Sequence, residues 1–131
     1  MSRAKPRANP IPPPAPVPSP PPPEPKKFLT ICEGGVVRSV SMALVLKHHG
    51  QDALAASWRW NTPSTFRVLG VWAHRIILMQ PHFIDCIPDD LRDKCRVVDV
   101  GEDRYGSAIN AELYQFLDQI AVDWKQRGWE F

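Results

Sequence analysis

Apolar residues along this chain form two patterns, short continuous runs and longer runs spaced three or four apart. The continuous runs predict four buried strands, at 28–31, 53–56, 75–79 and 95–100. The helical spacing predicts three amphipathic helices, at 39–49, after the turn at Thr62, and at 111–127. The stretch 81–88 has the pattern of one or two helical turns that end at Pro88. The last helix is expected to bury Leu113, Phe116, Leu117, Ile120 and Trp124.

The alternation of strands and helices predicts the fold class. Strands that are apolar throughout are typical of a parallel sheet covered on both faces, so we expect an α/β three-layer sandwich around a four-stranded parallel sheet. Ligand sites in such sheets lie beyond the carboxyl ends of the strands. This geometry brings the loops 32–38, 57–62 and 101–106 to one rim.

Composition divides the chain into two parts. Residues 1–27 hold 12 of the 15 prolines, whereas 28–131 reads as one globular domain. Proline fixes φ and donates no hydrogen bond, so 1–27 is predicted to be an extended, disordered arm. Its PxxP spacings fit a ligand for an aromatic-lined groove in a partner, but a run this dense matches PxxP by chance, so a spacer is favoured.

Charge and cysteine content narrow the class of protein. The arm carries five basic residues and Glu24, a charge of +4, which leaves −2 for the domain out of the total of +2. The basic charge therefore lies outside the domain and predicts neither nucleic-acid nor membrane binding. The three cysteines are too few and odd in number for a disulfide framework, and no apolar run is long enough for a membrane helix. We expect a cytoplasmic protein.

The junction between the first predicted strand and the first predicted helix contains most of the candidate functional residues. The first strand delivers Cys32 to the rim, Gly34 and Gly35 give the next turn backbone freedom, and a helix begins at Ser39. The positive end of that helix and the guanidinium of Arg38 both favour an oxyanion such as phosphate. The same positive field favours the thiolate of Cys32, so a nucleophile faces a phosphate-binding loop.

The stretch CEGGVVRS, with Cys-x5-Arg-Ser, resembles the signature loop of protein tyrosine phosphatases. Its position after the first strand, and Ile31 before the cysteine, are similar to the low-molecular-weight family, whose loop reads Cys-x-Gly-Asn-x-x-Arg-Ser. Gly34 matches that pattern, whereas Gly35 replaces the asparagine. The resemblance extends over 28–131: WAHRIILM is similar to the segment before the family's third strand, with His74 in place of an aspartate, and Asp103-Arg104-Tyr105 is similar to its Asp-x-Tyr.

The resemblance implies a metal-free and cofactor-free phosphatase. Cys32 would be the nucleophile, Ser39 would hydrogen-bond its sulfur, and Arg38 would bind phosphate together with the loop amides. Those amides belong to Glu33, Gly34, Gly35, Val36 and Val37. Asp103 would be the general acid, with Glu102 as the next candidate and Asp99 a structural hydrogen-bonding residue. Trp58 and Tyr105 would flank a phosphotyrosine ring, although core packing explains Trp58 equally well.

Three alternatives stay open at this stage. Arsenate reductases of the same fold use two further cysteines, and Cys86 and Cys95 lie in the corresponding region. A non-catalytic adaptor would bind phosphate and recruit a partner through the arm. A phosphatase with a small phosphorylated metabolite as its substrate keeps the same chemistry.

Overall fold

The computed structural model describes residues 10–19, 24–34, 36–102 and 104–131. It contains four strands: β1 (Lys27–Cys32), β2 (Asp52–Ser57), β3 (Arg75–Leu78) and β4 (Cys95–Val97). Its three α-helices are α1 (Arg38–His48), α2 (Pro63–Trp72) and α3 (Ala111–Gln126). Two 3₁₀ helices, Pro81–Cys86 and Asp89–Lys94, lie between β3 and β4.

The four strands form one parallel sheet in the order β2-β1-β3-β4, as the sequence predicts. Side chains of β1 alternate between the two faces: Phe28 and Cys32 belong to one apolar cluster, and Leu29 and Ile31 to the other. The first cluster packs under α1 and α3, and the second under α2 and the 3₁₀ helices. The three-layer α/β architecture is therefore confirmed.

Two details of the sequence prediction are wrong. Strand β4 ends at Val97 rather than at residue 100, and Asp99 lies exposed in the following loop. In α3, Phe116 is 52% exposed, because the buried face runs along Leu113, Leu117 and Ala121 at a spacing of four residues. The second 3₁₀ helix, whose sequence lacks an apolar stripe, was not predicted.

The helix starts follow from local sequence. The hydroxyl of Thr62 accepts the amide hydrogen bond of Thr65 at 3.3 Å, and Pro63 opens α2. Asn110 caps α3 through the amide of Leu113 at 3.1 Å. Residues 10–19 of the proline-rich arm are exposed and, like residues 24–26, contain no helix or strand, whereas Lys27, the last residue of the predicted arm, is the first residue of β1. None of the helices in the described part of the chain is long and apolar enough to cross a membrane.

Candidate active site

Cys32 is the last residue of β1 and lies at the carboxyl edge of the sheet. Its side chain is 2% exposed, and its sulfur is 3.0 Å from the hydroxyl of Ser39, with which it forms a hydrogen bond. Ser39 is itself fully buried, and its carbonyl accepts a 2.7 Å hydrogen bond from the hydroxyl of Thr30 in β1. The strand and the helix are thus joined directly beneath the sulfur.

The start of α1 faces the sulfur of Cys32, and no side chain among the described residues caps this helix. Val37 occupies the cap position, and the first turn of α1 contains no acidic residue. An uncapped helix start leaves backbone N–H groups without intrahelical partners and carries a partial positive charge. Both properties favour an anion in front of the loop.

Arg38, the first residue of α1, is only 3% exposed. Its Nη1 donates a 2.9 Å hydrogen bond to the carbonyl of Gly101, but its Nε has no partner among the described residues. A buried guanidinium with an unused donor is costly unless an acceptor completes its shell. A phosphate oxygen is an acceptor of the right charge and geometry.

The residues of the loop between β1 and α1 lie in different environments. Glu33 is exposed, Val36 is 69% exposed, and Val37 is buried in the core. Gly34 does not adopt a positive φ, and a Cβ there would meet no described atom within 4 Å, so contacts within the protein do not require glycine at this position. Gly35, the departure from the resembled loop, lies outside the described residues.

Hydrogen bonds from the ends of β2 and β3 hold the loop in place, and two of the residues that form them, Ser57 and Gln80, were not identified from the sequence. The hydroxyl of Ser57 donates to the carbonyl of Glu33 at 2.8 Å, and the amide of Trp58 donates to the carbonyl of Cys32 at 2.9 Å. On the other side, the side-chain carbonyl of Gln80 accepts the amide hydrogen bond of Glu33 at 3.3 Å, so this amide, one of those predicted to bind phosphate, has a partner within the protein. The sequence offers one signal, a serine directly after the apolar run 53–56, but the position of Ser57 beside Cys32 depends on the register of β1 and β2.

The loop after β4 carries the predicted acid and reaches the same rim. Asp103 lies outside the described residues, and Glu102 is exposed. Asp99 accepts a hydrogen bond from the amide of Gly101 at 2.9 Å, but it does so from the exposed loop after β4 rather than from within the strand where the sequence places it. Since the carbonyl of that same Gly101 accepts a hydrogen bond from Arg38, the loop after β4 is connected to the arginine that the sequence predicts to bind phosphate.

The two aromatic residues predicted to flank the substrate lie on different sides of the sheet. Trp58 packs on Phe66 and Phe83 at centroid distances of 4.9 and 5.4 Å, beside the α2 cluster. Tyr105 packs against the opposite cluster, and its hydroxyl donates to the carbonyl of Val100 at 2.8 Å. Trp60 is 75% exposed at the same rim as Cys32, so it is a further aromatic residue available to a substrate.

The other two cysteines differ sharply from each other. Cys86 is exposed, whereas Cys95 is buried and hydrogen-bonded to the carbonyl of Leu91 at 3.6 Å. Burial raises the pKa of the Cys95 thiol to about 11, so it is protonated at neutral pH and a poor nucleophile. This state does not favour thiol-coupled reduction. The described residues also contain no cluster of three or more His, Cys, Asp or Glu side chains that could hold a metal ion.

Comparison with known proteins gives structural matches alone. No family model matches the chain, and no curated protein matches its sequence. The structure is similar to Wzb of Vibrio vulnificus in complex with benzylphosphonate, at 15% identity and a TM-score of 0.57 over 78% of this chain and 98% of that one. It is also similar to the tyrosine phosphatase AmsI of Erwinia amylovora, at 17% identity and a TM-score of 0.59 over 78% and 92% of the two chains.

A third similar structure is the tyrosine phosphatase Wzb of Escherichia coli K30 in complex with phosphate. It has 16% identity and a TM-score of 0.56 over 78% of this chain and 97% of that one. At such identities the match establishes the fold. The chain therefore has the α/β fold of bacterial tyrosine phosphatases, and the low-molecular-weight tyrosine-phosphatase-like fold predicted from the sequence is confirmed.

Proposed function

We propose that this protein is a cysteine-dependent phosphatase that hydrolyses phosphotyrosine or a similar phosphomonoester. One observation carries the proposal: Cys32, hydrogen-bonded to Ser39, lies at the uncapped start of a helix whose first residue is a buried arginine with an unused Nε donor. A nucleophile and an anion-binding site are thus built into one loop. The fold shared with bacterial tyrosine phosphatases supports the same reaction class.

In the first step, the Cys32 thiolate attacks phosphorus in line with the leaving oxygen, and the P–O bond to the aryl group breaks. Arg38 and the loop amides bind the equatorial phosphoryl oxygens, where charge must be stabilised. Asp103 donates a proton to the departing phenolate, with Glu102 as the next candidate. The product of this step is phosphocysteine and the free phenol.

In the second step, water attacks the phosphocysteine and the S–P bond breaks. The carboxylate that lost its proton accepts one from the water, and the sulfur leaves as a thiolate. Ser39 donates its hydroxyl hydrogen to that sulfur across the 3.0 Å contact, which stabilises the leaving charge. Atoms and charge balance without a metal or cofactor.

Substrate recognition follows from the aromatic residues at the rim. Tyr105 and Trp58 stay our predicted walls for the phenol ring, although Trp58 also contacts the core. The exposed Trp60 and Val36 offer apolar contacts beyond the ring, which favour a phosphotyrosine protein over a small phosphorylated metabolite. The arm would serve as a spacer, and a partner with an aromatic-lined groove is the alternative for it.

The test is turnover of p-nitrophenyl phosphate by the wild type and by Cys32→Ser. We expect the substitution to abolish turnover, because a hydroxyl at this position is a far weaker nucleophile than a thiolate. Cys86→Ser is the matched control, since this exposed cysteine has no role in the proposed reaction, and it should retain full turnover. Tight phosphate binding by a wild type without turnover would instead support a non-catalytic adaptor.

A further inference from the structure

A second concave site lies at the end of the sheet opposite Cys32, where β1 and β3 begin. This cationic pocket has a volume of about 310 Å³. It is lined by Lys26, Val71, Trp72, Ala73, His74, Arg75, Lys94 and Trp129. None of these residues takes part in the proposed hydrolysis.

The described lining of this pocket includes three basic side chains and a histidine but no carboxylate. Glu130 reaches Lys26 at 3.7 Å, but both side chains are well exposed, so this ion pair contributes little. The ammonium of Lys94 donates to the carbonyls of Gly70 and Ala73 at 3.0 and 2.9 Å. Lys94 therefore offsets the negative end of α2, and the pocket as a whole favours an anion.

Arg75 lines this pocket, lies over the Phe131 ring at 5.6 Å, and has one side-chain donor without a partner in the described structure. Its Nη1 donates to the carbonyl of His74 at 3.0 Å, whereas its Nε is buried and has no acceptor among the described residues. A buried N–H group without an acceptor requires an explanation, and a bound anion is one. Arg38 and Arg75 are the two arginines with such an Nε in the described part of the chain.

His74 adds a second donor. Its Nδ1 accepts the amide hydrogen bond of Lys27 at 2.9 Å, so the neutral ring carries its proton on Nε2. Desolvation lowers the pKa of His74, and the neighbouring Lys26, Lys27, Lys94 and Arg75 lower it further. All the charged groups that shift this pKa are cations, so a bound anion would raise it.

The aromatic residues that line the pocket indicate which group the ligand carries besides the anion. Trp72 and Trp129 present indole rings, which favour a flat aromatic group attached to the anion. Small-molecule sites range from about 300 to 1,000 Å³, and this pocket is at the lower end of that range. The volume therefore suits a single ring with one acidic group.

We propose that the cationic pocket binds a small metabolite with a phosphate group on a single aromatic or heteroaromatic ring. Arg75 and His74 contact the phosphate, and the two indoles contact the ring. The site is independent of the catalytic loop, since it lies at the opposite edge of the sheet and shares no residue with it.

The proposal can be tested with phenylphosphonate, which has one ring and a phosphoryl group that cannot be hydrolysed. Isothermal titration of the full chain should show two sites. Arg38→Ala should remove the catalytic one, and Arg75→Gln should weaken the other by about tenfold or more, because a charge-assisted hydrogen bond is lost. Arg96→Gln is the matched control: Arg96 also lies over the Phe131 ring but is outside the pocket, and its loss should leave both sites unchanged.

Two further readouts make the result independent of the folding of one variant. In Arg38→Ala, added phenylphosphonate should raise the pKa of His74 measured by NMR, and His74→Gln should weaken binding at the remaining site. Methylphosphonate, which lacks the ring, should bind this site at least about fivefold more weakly.

The outcomes separate the two proposals. A single site that disappears with Arg38→Ala would overturn the cationic pocket and leave the proposed phosphatase site intact. A single site that is insensitive to Arg38→Ala but lost with Arg75→Gln would support the pocket and count against the phosphatase loop. An unchanged His74 pKa in Arg38→Ala would also overturn the pocket.

Discussion

The two ends of the parallel sheet each hold an arginine whose Nε lacks a partner in the described structure, yet their surroundings differ. At the carboxyl end, Arg38 begins a helix and lies in the same loop as the buried thiol of Cys32. At the amino end, Arg75 lies near the end of α2, where Lys94 occupies the helix carbonyls. In our proposals, the first arrangement joins anion binding to a nucleophile, and the second provides anion binding alone.

The difference follows from the direction of the strands. In a parallel sheet every helix start faces the carboxyl edge, so the positive helix end, the loop amides and the strand-terminal cysteine meet there. The amino edge receives helix ends, which are negative and need cations to offset them. A cationic cluster at this edge is therefore partly structural, and its capacity to bind a ligand depends on the donors that remain, Arg75 Nε and the His74 ring.

The largest effect on turnover is expected from substitution of Arg38. Arg38→Ala should lower kcat/KM for p-nitrophenyl phosphate by about 100- to 1,000-fold, because donors to the transferring phosphoryl group are lost. Arg38→Lys should recover only a small part, since a point charge cannot replace the planar fork. Arg75→Ala, its counterpart at the other end, should keep turnover within about twofold. Equal losses for Arg38→Ala and Arg75→Ala would contradict the division of roles.

A smaller effect is expected at the brace between β2 and the catalytic loop. Ser57→Ala removes the 2.8 Å hydrogen bond to the carbonyl of Glu33 and the 3.0 Å hydrogen bond from the amide of Trp60, and it leaves the Glu33 carbonyl with the amide of Arg59. We expect kcat to fall about tenfold and the free energy of unfolding to fall by about 1 kcal/mol, from steady-state kinetics and urea unfolding.

Ser64→Ala, at an exposed hydroxyl in the first turn of α2, is the control for that measurement and should change kcat little. A Ser57→Ala variant with lowered stability but unchanged kcat would show that Ser57 supports the fold without positioning the loop.

The catalytic loop and the order of strands and helices can be predicted from the sequence, whereas contacts between distant segments cannot. Residues Cys32 to Ser39 are adjacent in the chain, so the end of the strand, the turn and the start of the helix can be predicted from neighbouring residues. The apolar runs likewise determine the order of strands and helices. These features depend on short stretches of chain, where local preference and tertiary packing agree.

The features that sequence reading missed depend on contacts between distant segments. The brace from Ser57 requires the register of β1 with β2, and the contact of Arg38 with Gly101 spans 63 positions. Phe116 was assigned to the core from its spacing alone, whereas the smaller Ala121 is the residue that lies against the sheet-facing cluster. The pocket around His74 also has no continuous motif, because its residues come from four separate segments.

A pH effect on stability is expected from His74. Its pKa in the folded protein lies below its ordinary value, so between that ordinary value of about 6.5 and the lowered one the unfolded chain binds more protons. The free energy of unfolding should therefore decrease as the pH falls below about 6.5. His74→Gln should flatten this slope in urea titrations, and added salt should reduce it, because the ring is exposed and the neighbouring charges are screened. An identical slope in both proteins would exclude His74 as its source.

The smallest effect is expected from removal of the proline-rich arm. Deletion of residues 1–25 keeps Lys26 and leaves the catalytic edge untouched, since the arm enters the domain at the opposite end of β1. Turnover of p-nitrophenyl phosphate should stay within about twofold of the full chain. A large loss would mean that the arm contributes to the active site.

A phosphoryl group on Cys32 would be direct evidence for the proposed reaction, and it can be detected. The Asp103→Asn variant lacks the carboxylate that accepts a proton from the attacking water, so it should accumulate the intermediate when it is mixed with p-nitrophenyl phosphate, whose leaving group departs without a proton. The reaction is denatured rapidly, and peptide mass spectrometry locates the phosphoryl group. We expect phosphocysteine at Cys32 that decays as phosphate is released, and none in Asp103→Asn combined with Cys32→Ser. Turnover without phosphocysteine, or phosphorylation at another residue, would contradict the proposed reaction.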